Sequence, residues 1–403
     1  MPTRTLLHFV VLLIALGPAP AAGPPPAPTF RAVEIDSQVG IGYGLAIADV
    51  DGDRKLDVLL ADKDTVVWYQ NPTWQKHILA GKLTPRDHVC IAAADVDGDG
   101  KAEVAVGAEW NPGDTENSGA LFYLLPPADR TQRWEPVKLP HEPTVHRIRW
   151  ARDWQGRMTL ISVPLHGRGN NAQTGEGAGV RIQRYLPPSN PRDPWEVQLI
   201  DDSLHKTHNF DLAQWDDDDT LELLIAGKEG VFLSNWSTDE SRLILTPLGT
   251  NNVGGAGEVR AGTLGGTRRF ISAIEPMHGN HLALYTPPQP LGGASLWQRR
   301  VLDDSLADGH ALACGDLLGI GRDQIVVGWR AMNRGRDVKV GIKLFAPLDP
   351  EGREWRQTLV DDNTMACEDL QLADLDGDGR PDIVAAGRAT KNLKVYFNTT
   401  PRS

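Results

Sequence analysis

One short motif recurs along the chain in near copies: Ile47-Ala48-Asp49-Val50-Asp51-Gly52-Asp53, Ala93-Ala94-Asp95-Val96-Asp97-Gly98-Asp99 and Leu372-Ala373-Asp374-Leu375-Asp376-Gly377-Asp378. Weaker copies stand at 212–218 and 314–319, and traces survive around Asp153 and Thr263. The seven units lie roughly 45 to 60 residues apart, a period that belongs to propeller blades rather than to independent domains. A repeat that short cannot bury its own apolar face, so the units must pack on one another.

A second element repeats between them, an aromatic residue with an aliphatic one five places on: Trp74/Leu79, Trp134/Leu139, Trp195/Ile200, Trp297/Leu302 and Trp355/Val360. Apolar runs separated by Gly, Pro and Asn turns fill the remainder, and no segment carries a helical period. Each unit reads as four short antiparallel strands. Phe30/Ile35 repeats the aromatic/aliphatic element ahead of the first unit, while the last unit ends at Tyr396-Phe397 without one. Unpaired strand edges invite aggregation. The N-terminal strand is therefore expected to complete the last blade, giving an all-β, seven-bladed β-propeller closed on itself.

The 403 residues include 41 Lys and Arg against 53 Asp and Glu, a net charge of −12. That balance excludes a nucleic-acid binder relying on a basic surface. Three cysteines (Cys90, Cys314 and Cys367) cannot build a disulfide framework, and their apolar surroundings mark them as small buried residues. At the N-terminus, Arg4 precedes an apolar run at 6–16 broken only by His8, then Ala19-Pro20-Ala21. This is the pattern of a cleaved signal peptide. Residues 1–21 are expected to be removed, 22–28 to form a Pro-rich leader and 29–403 the propeller. The expected location is secreted or periplasmic, with no membrane span after cleavage.

The repeated loops are candidate cation sites. Asp49, Asp51, Asp53 and Asp57 occupy positions 1, 3, 5 and 9, as do Asp95, Asp97, Asp99 and Glu103, and Asp374, Asp376, Asp378 and Asp382. Alternating carboxylates in a tight Gly-containing loop converge on one point and suit a hard, oxygen-seeking ion such as Ca2+, or Mg2+. The loops resemble those of FG-GAP/VCBS propellers, as in integrin α-subunits. A structural cation is expected in these three loops.

A different register emerges twelve to fourteen residues beyond each aromatic anchor. There stand Tyr43, His88, His146, His208, His310 and Glu368, so that four of the 11 histidines share one place in the repeat. In a propeller that place is the start of the innermost strand, facing one mouth of the channel. Loops with the similar sequences Pro164-Leu165-His166-Gly167 and Pro276-Met277-His278-Gly279 are expected at the same mouth, covered by the Gly-rich stretch 167–179. Imidazoles serve acid–base chemistry near neutral pH or bind a transition metal, and the spacing alone does not separate these uses.

The chain also resembles the propeller domain of the aldos-2-ulose dehydratases (1,5-anhydro-D-fructose dehydratases). The resemblance is carried by Gly42-Tyr43-Gly44-Leu45, Val145-His146-Arg147, His205 with His208, Ala256-Gly257, Met277-His278-Gly279-Asn280 and Leu284-Tyr285-Thr286. It is similar in layout, more distantly, to the rhamnose–glucuronate polysaccharide lyases. Both resemblances imply a carbohydrate substrate and β-elimination: loss of water from a keto-sugar, or cleavage of a glycosidic bond beside a uronate. On that reading His88, His146 and His208 form the acid–base set. Tyr43, His278 and His310 orient the substrate, and His166, His205 and Glu368 bind it. The competing expectation is a non-enzymatic, calcium-stabilised propeller that binds a glycan or protein. A monomer or simple homo-oligomer is expected in either case.

Overall fold

The computed structural model describes residues 25–215, 220–234, 246–247, 254–266, 268–287, 297–331 and 338–402. The signal-peptide segment and the centre of the fourth Asp motif, at 216–218, lie outside them. The described residues form 28 strands in seven four-stranded antiparallel sheets, and none of them lies in a helix.

Each sheet is one blade. The first strands of the seven blades are Gly44–Ala48, Cys90–Ala94, Val145–Arg152, Thr207–Ala213, Glu258–Gly265, Gly309–Gly315 and Cys367–Ala373. Each touches the first strands of both neighbouring blades, and the seventh touches the first, so the array is a closed ring around a channel. The seventh blade takes its outermost strand from the N-terminus. Phe30–Asp36 pairs antiparallel with Asn392–Asn398, with Phe30 opposite Asn398 and Glu34 opposite Lys394. The expected closure is what the chain adopts, and it removes the two sheet edges that a seven-unit array would otherwise expose.

The aromatic anchors work alike. Trp134, Trp195 and Trp355 each precede or open an outer strand and donate the indole N–H to a carbonyl three or four residues back, at 3.0, 3.0 and 2.8 Å. The aliphatic partner then points inward, and Leu79, Leu139 and Ile200 are buried. Most of the core lies between blades. Leu59 and Trp68 of the first blade, for example, pack in one cluster with Ile91, Val104 and Val106 of the second. The three cysteines are unpaired, and burial pushes their thiols up, out of the reactive range.

A local irregularity positions the mouth. In the third, fourth, sixth and seventh blades the pairing of the first strand with the second skips one residue. Val145 pairs with Pro164 and Arg147 with Val163, leaving His146 unpaired. His208, Glu368 and His310 are passed over in the same way. A bulged residue leaves the alternation of the strand and is re-aimed. Four side chains thereby turn out of the sheet toward the channel mouth.

Candidate functional site

These side chains converge on a cavity of about 510 Å³. His146, His208, His310 and Glu368 reach it from the bulges, and Tyr43 from just before the first strand of blade one. His166 and His278 come from the loops between second and third strands, the latter with φ +54°, a left-handed backbone that orients its ring inward. Ala172, from the Gly-rich stretch, also lines the wall.

Three imidazoles meet closely. His208 Nε2 and His278 Nε2 are 2.6 Å apart, and the rings of His208 and His310 have centroids 5.3 Å apart. His208, His278 and His310 each offer a nitrogen within 4.8 Å of the others. His208 Nδ1 lies 2.9 Å from the Gly257 carbonyl oxygen and His310 Nδ1 2.6 Å from that of Glu368. A carbonyl only accepts, so both Nδ1 atoms carry the proton and both Nε2 atoms present a lone pair. Burial holds all three rings well below the ordinary histidine pKa, reinforced by Arg147 at His208, by His208 at His278 and by Arg330 at His310. They are neutral imidazoles, the protonation state that ligates a transition metal. The donor set thus fits such an ion, with pinned Nδ1 atoms holding the rings in place.

His146 stacks on Trp110, ring centroids 4.8 Å apart, and its Nδ1 is buried without a hydrogen-bond partner among the described residues. Burial first, then Arg147, keeps it neutral. Tyr43 donates its hydroxyl to Asp87 at 3.1 Å and lies beneath the Arg388 guanidinium; burial pushes its pKa up to about 12. It is a phenol near neutral pH, a proton donor rather than a base.

One expectation needs correction, and two more residues find partners that the sequence did not announce. His88 does not reach the cavity. The second blade lacks the bulge, pairing Cys90 with Gly107 and continuing without a skip. His88 instead lies fully buried between blades one and two, with Nδ1 2.9 Å from the Asp62 carbonyl and Nε2 accepting the Leu83 N–H at 3.3 Å. His205 is half-exposed beside the cavity and pairs with Glu229 at 3.1 Å. Glu368 is at the cavity, but Arg330 and Arg388 hold its two oxygens at 2.7 and 2.9 Å. Sequence reasoning also passed over Trp110, Lys206, Arg330 and Arg388, and treated Arg147 only as a neighbour of His146. Arg330 and Arg388 in fact share one place in the repeat, directly after the second strands Gln324–Trp329 and Asp382–Gly387 of the sixth and seventh blades, a register that counting from the aromatic anchors does not follow.

On the opposite face the Asp loops take the expected shape. Asp49 accepts the N–H groups of Gly52 and Arg54 at 2.7 Å each, with Gly52 at φ +83° closing the turn. Carboxylates of Asp49, Asp51 and Asp53 converge within 4.8 Å, as do those of Asp95, Asp97 and Asp99, and of Asp374, Asp376 and Asp382. The ninth position carries a second task in all three loops, and Asp382, the one ninth residue that also joins the converged set, accepts the N–H groups of Leu375 and Asn398. Asp57 spends its oxygens on the N–H groups of Val50 and Asn71, and Glu103 on Val96 N–H and Arg130. All three brace their loops from behind. In the third loop Asp378 falls outside the cluster.

Residues 49–106 match a model of the FG-GAP-like repeat, and 91–124 one of the FG-GAP repeat. No curated protein sequence matches the chain. Among solved structures, a chain of the mitotic checkpoint complex is 13% identical with a TM-score of 0.55, covering 98% of this chain and 99% of its own. The β-propeller domain of Myceliophteria thermophila Cps50 (Swd1) is 10% identical with a TM-score of 0.55, covering 92% and 99%. At these identities the likeness is one of fold alone. None of these matches extends to the dehydratases or the lyases, whose resemblance rests on the residues quoted for it. The chain is a seven-bladed β-propeller with FG-GAP repeats across its first two blades.

Proposed function

We propose that the protein is an exported carbohydrate lyase whose reaction takes place in the mouth cavity, with a transition metal held by His208, His278 and His310. The convergence of three neutral, carbonyl-braced imidazoles on one cavity carries this reading. Bound there, an ion such as Zn2+ supplies a Lewis acid that polarises the oxygen of a carbonyl or carboxylate. The chain's own groups then divide the β-elimination. His146, neutral and lining the cavity, accepts the proton from the carbon beside that carbonyl. The electron pair of the broken C–H bond becomes the new C=C bond. The C–O bond at the next carbon breaks, and Tyr43 protonates the departing oxygen. Trp110 offers a flat apolar wall to a sugar ring.

The three Asp loops are proposed to hold Ca2+ for stability, a reading supported by their converged carboxylates and the FG-GAP match.

The test is to incubate the zinc-loaded protein with keto-sugars and uronate-containing glycans and follow the ultraviolet absorbance of conjugated products. His146→Ala is expected to lower turnover by about a hundred-fold or more, the usual contribution of a general base. Full activity in both His146→Ala and His208→Ala, or no product from any substrate with any metal, overturns the assignment.

A further inference from the structure

A second cavity lies on the face of the Asp loops, between blades five and six. It encloses about 700 Å³, more than the mouth, and falls within the ordinary range of small-molecule pockets. The repeat changes sign here. Where the first blade has Asp49 and Asp51, the fifth has Thr263 and Gly265, and Arg268 and Arg269 follow. Arg299 and Arg300 stand at the start of the outer strand of the same blade, and Arg353 comes from the turn before the outer strand of blade six. Five guanidiniums thus line one cavity with a single carboxylate, Glu351, in a chain of net charge −12.

These arginines are unequally engaged. Arg299 is neutralised by the buried Glu275, 2.6 Å away, and Arg269 lies over the Trp215 ring. Arg300 donates both Nη groups to the carbonyls of Gly352 and Arg353 and forms no ion pair among the described residues. Asp349 accepts the N–H groups of its own turn, from Glu351, Arg353 and Glu354, at 2.9, 3.2 and 2.8 Å, and meets Arg353 Nε only at 3.4 Å.

Glu351 shows what the remaining geometry fits. Its Oε1 lies 3.4 Å from Arg268 Nη1 and its Oε2 3.2 Å from Arg353 Nη2, so one carboxylate spans guanidiniums from two blades. Both distances are long for charge-assisted bonds, and the Glu351 side chain is 47% exposed. Such a pair holds weakly and is easily exchanged. Beside it the wall turns apolar, with Leu264, Leu284 and Pro287.

We infer that this cavity binds a small organic phosphate or sulfate ester. Its oxyanion head sits among Arg268, Arg300 and Arg353, and its body lies against Leu264, Leu284 and Pro287. A tetrahedral oxyanion presents three oxygens and can meet three guanidiniums at once. The two oxygens of Glu351 are taken by Arg268 and Arg353, which leaves Arg300 to backbone carbonyls. The site shares no residue with the mouth and does not depend on the lyase reading.

Binding of phenyl phosphate and phenyl sulfate to the full-length protein is measured by calorimetry, beside inorganic phosphate, inorganic sulfate and phenol. At least one ester is expected to bind about tenfold or more tightly than the inorganic ion with the same head, the worth of burying an apolar ring in part. Phenol should show no measurable binding. Arg268→Met and Arg300→Met should each weaken the ester about tenfold, the size of a charge-assisted hydrogen bond. Glu351→Gln should act in the opposite sense and tighten it about two- to fivefold, the worth of the exposed ion pair that competes with it. Melting curves check that each variant folds, and Arg268→Met keeps the test usable if loss of the Arg300 bonds to the turn unfolds that variant. No binding of either ester, esters held no more tightly than the bare ions, or affinity unchanged in a folded Arg268→Met variant overturns the site. So does weaker binding in Glu351→Gln. Binding that appears only with added zinc would place the ester at the mouth and overturn the site as well.

Discussion

His208 and His278 stand 70 residues apart in the chain and face each other through Nε2 atoms separated by 2.6 Å. The proton on His208 is committed to the Gly257 carbonyl at Nδ1, so its Nε2 meets His278 as a bare lone pair. Such a contact is satisfied when His278 supplies an N–H, or when a cation replaces that proton. His310 approaches from another blade with its Nδ1 engaged in the same way, by the Glu368 carbonyl.

Zinc is therefore expected to raise the melting temperature of the chelator-treated protein by mass action on the folded state. His278→Ala should remove most of that gain, and one ion per chain should disappear from metal analysis. An unchanged zinc content in His278→Ala would exclude the three-histidine site.

Calcium should stabilise independently of zinc, because the Asp loops lie on the opposite face. Asp51→Ala and Asp376→Ala each remove one converging carboxylate and should shrink the calcium-induced shift in melting temperature. Asp57→Asn should destabilise the protein even without calcium, since Asp57 braces Val50 and Asn71 from a buried position. Equal calcium shifts in the wild type and in both loop variants would reduce the loops to plain turns.

His88→Ala separates a packing histidine from a reacting one. The substitution leaves the half-buried Leu83 N–H and the buried Asp62 carbonyl without their partner, at a cost of about 1–3 kcal/mol. Activity per folded molecule should stay within about twofold of the wild type, against the hundred-fold loss that removal of a general base brings. Denaturant unfolding alongside turnover measurements decides the matter.

Acid should destabilise the fold through His166, which burial, with Lys206 nearby, draws down to about 4. The unfolded chain takes up this proton near the ordinary value of about 6.5. Between those values the unfolded state binds more protons, so stability rises with pH. It is fully present above about pH 6.5 and is lost progressively as the pH falls toward 4. His166→Gln should remove this ring's share of the fall in melting temperature over that interval and leave the share of His146, His208, His278 and His310, which burial also holds neutral. A wild-type profile that is level from pH 6.5 to 4 would show that the folded protein protonates this ring as readily as water does.

Blade number, strand count and ring closure were legible in the linear sequence, because each follows from local rules repeated at fixed spacing. Asp-Gly turns mark the loops, Trp74 and Leu79 with their four counterparts mark the outer strands, and the orphan Phe30/Ile35 could pair only with the incomplete last blade. His146, His208 and His310 were legible for the same reason. The composition of the site was decided elsewhere. His88 shares the spacing of the other three, yet its blade lacks the extra residue that turns a side chain out of the sheet. One skipped ladder position separates a buried bracing histidine from one at the mouth, and spacing counted to within two residues cannot resolve that. Glu368 was expected to bind substrate, yet Arg330 and Arg388, from just past the ends of two second strands, hold both its oxygens. Arg147 and Lys206 stand out only because no carboxylate among the described residues pairs with them, a property of their surroundings in three dimensions. Sequence determined the ring because its contacts are local and periodic; tertiary structure decided the chemistry of the mouth because that depends on which charges remain unpaired once seven blades converge.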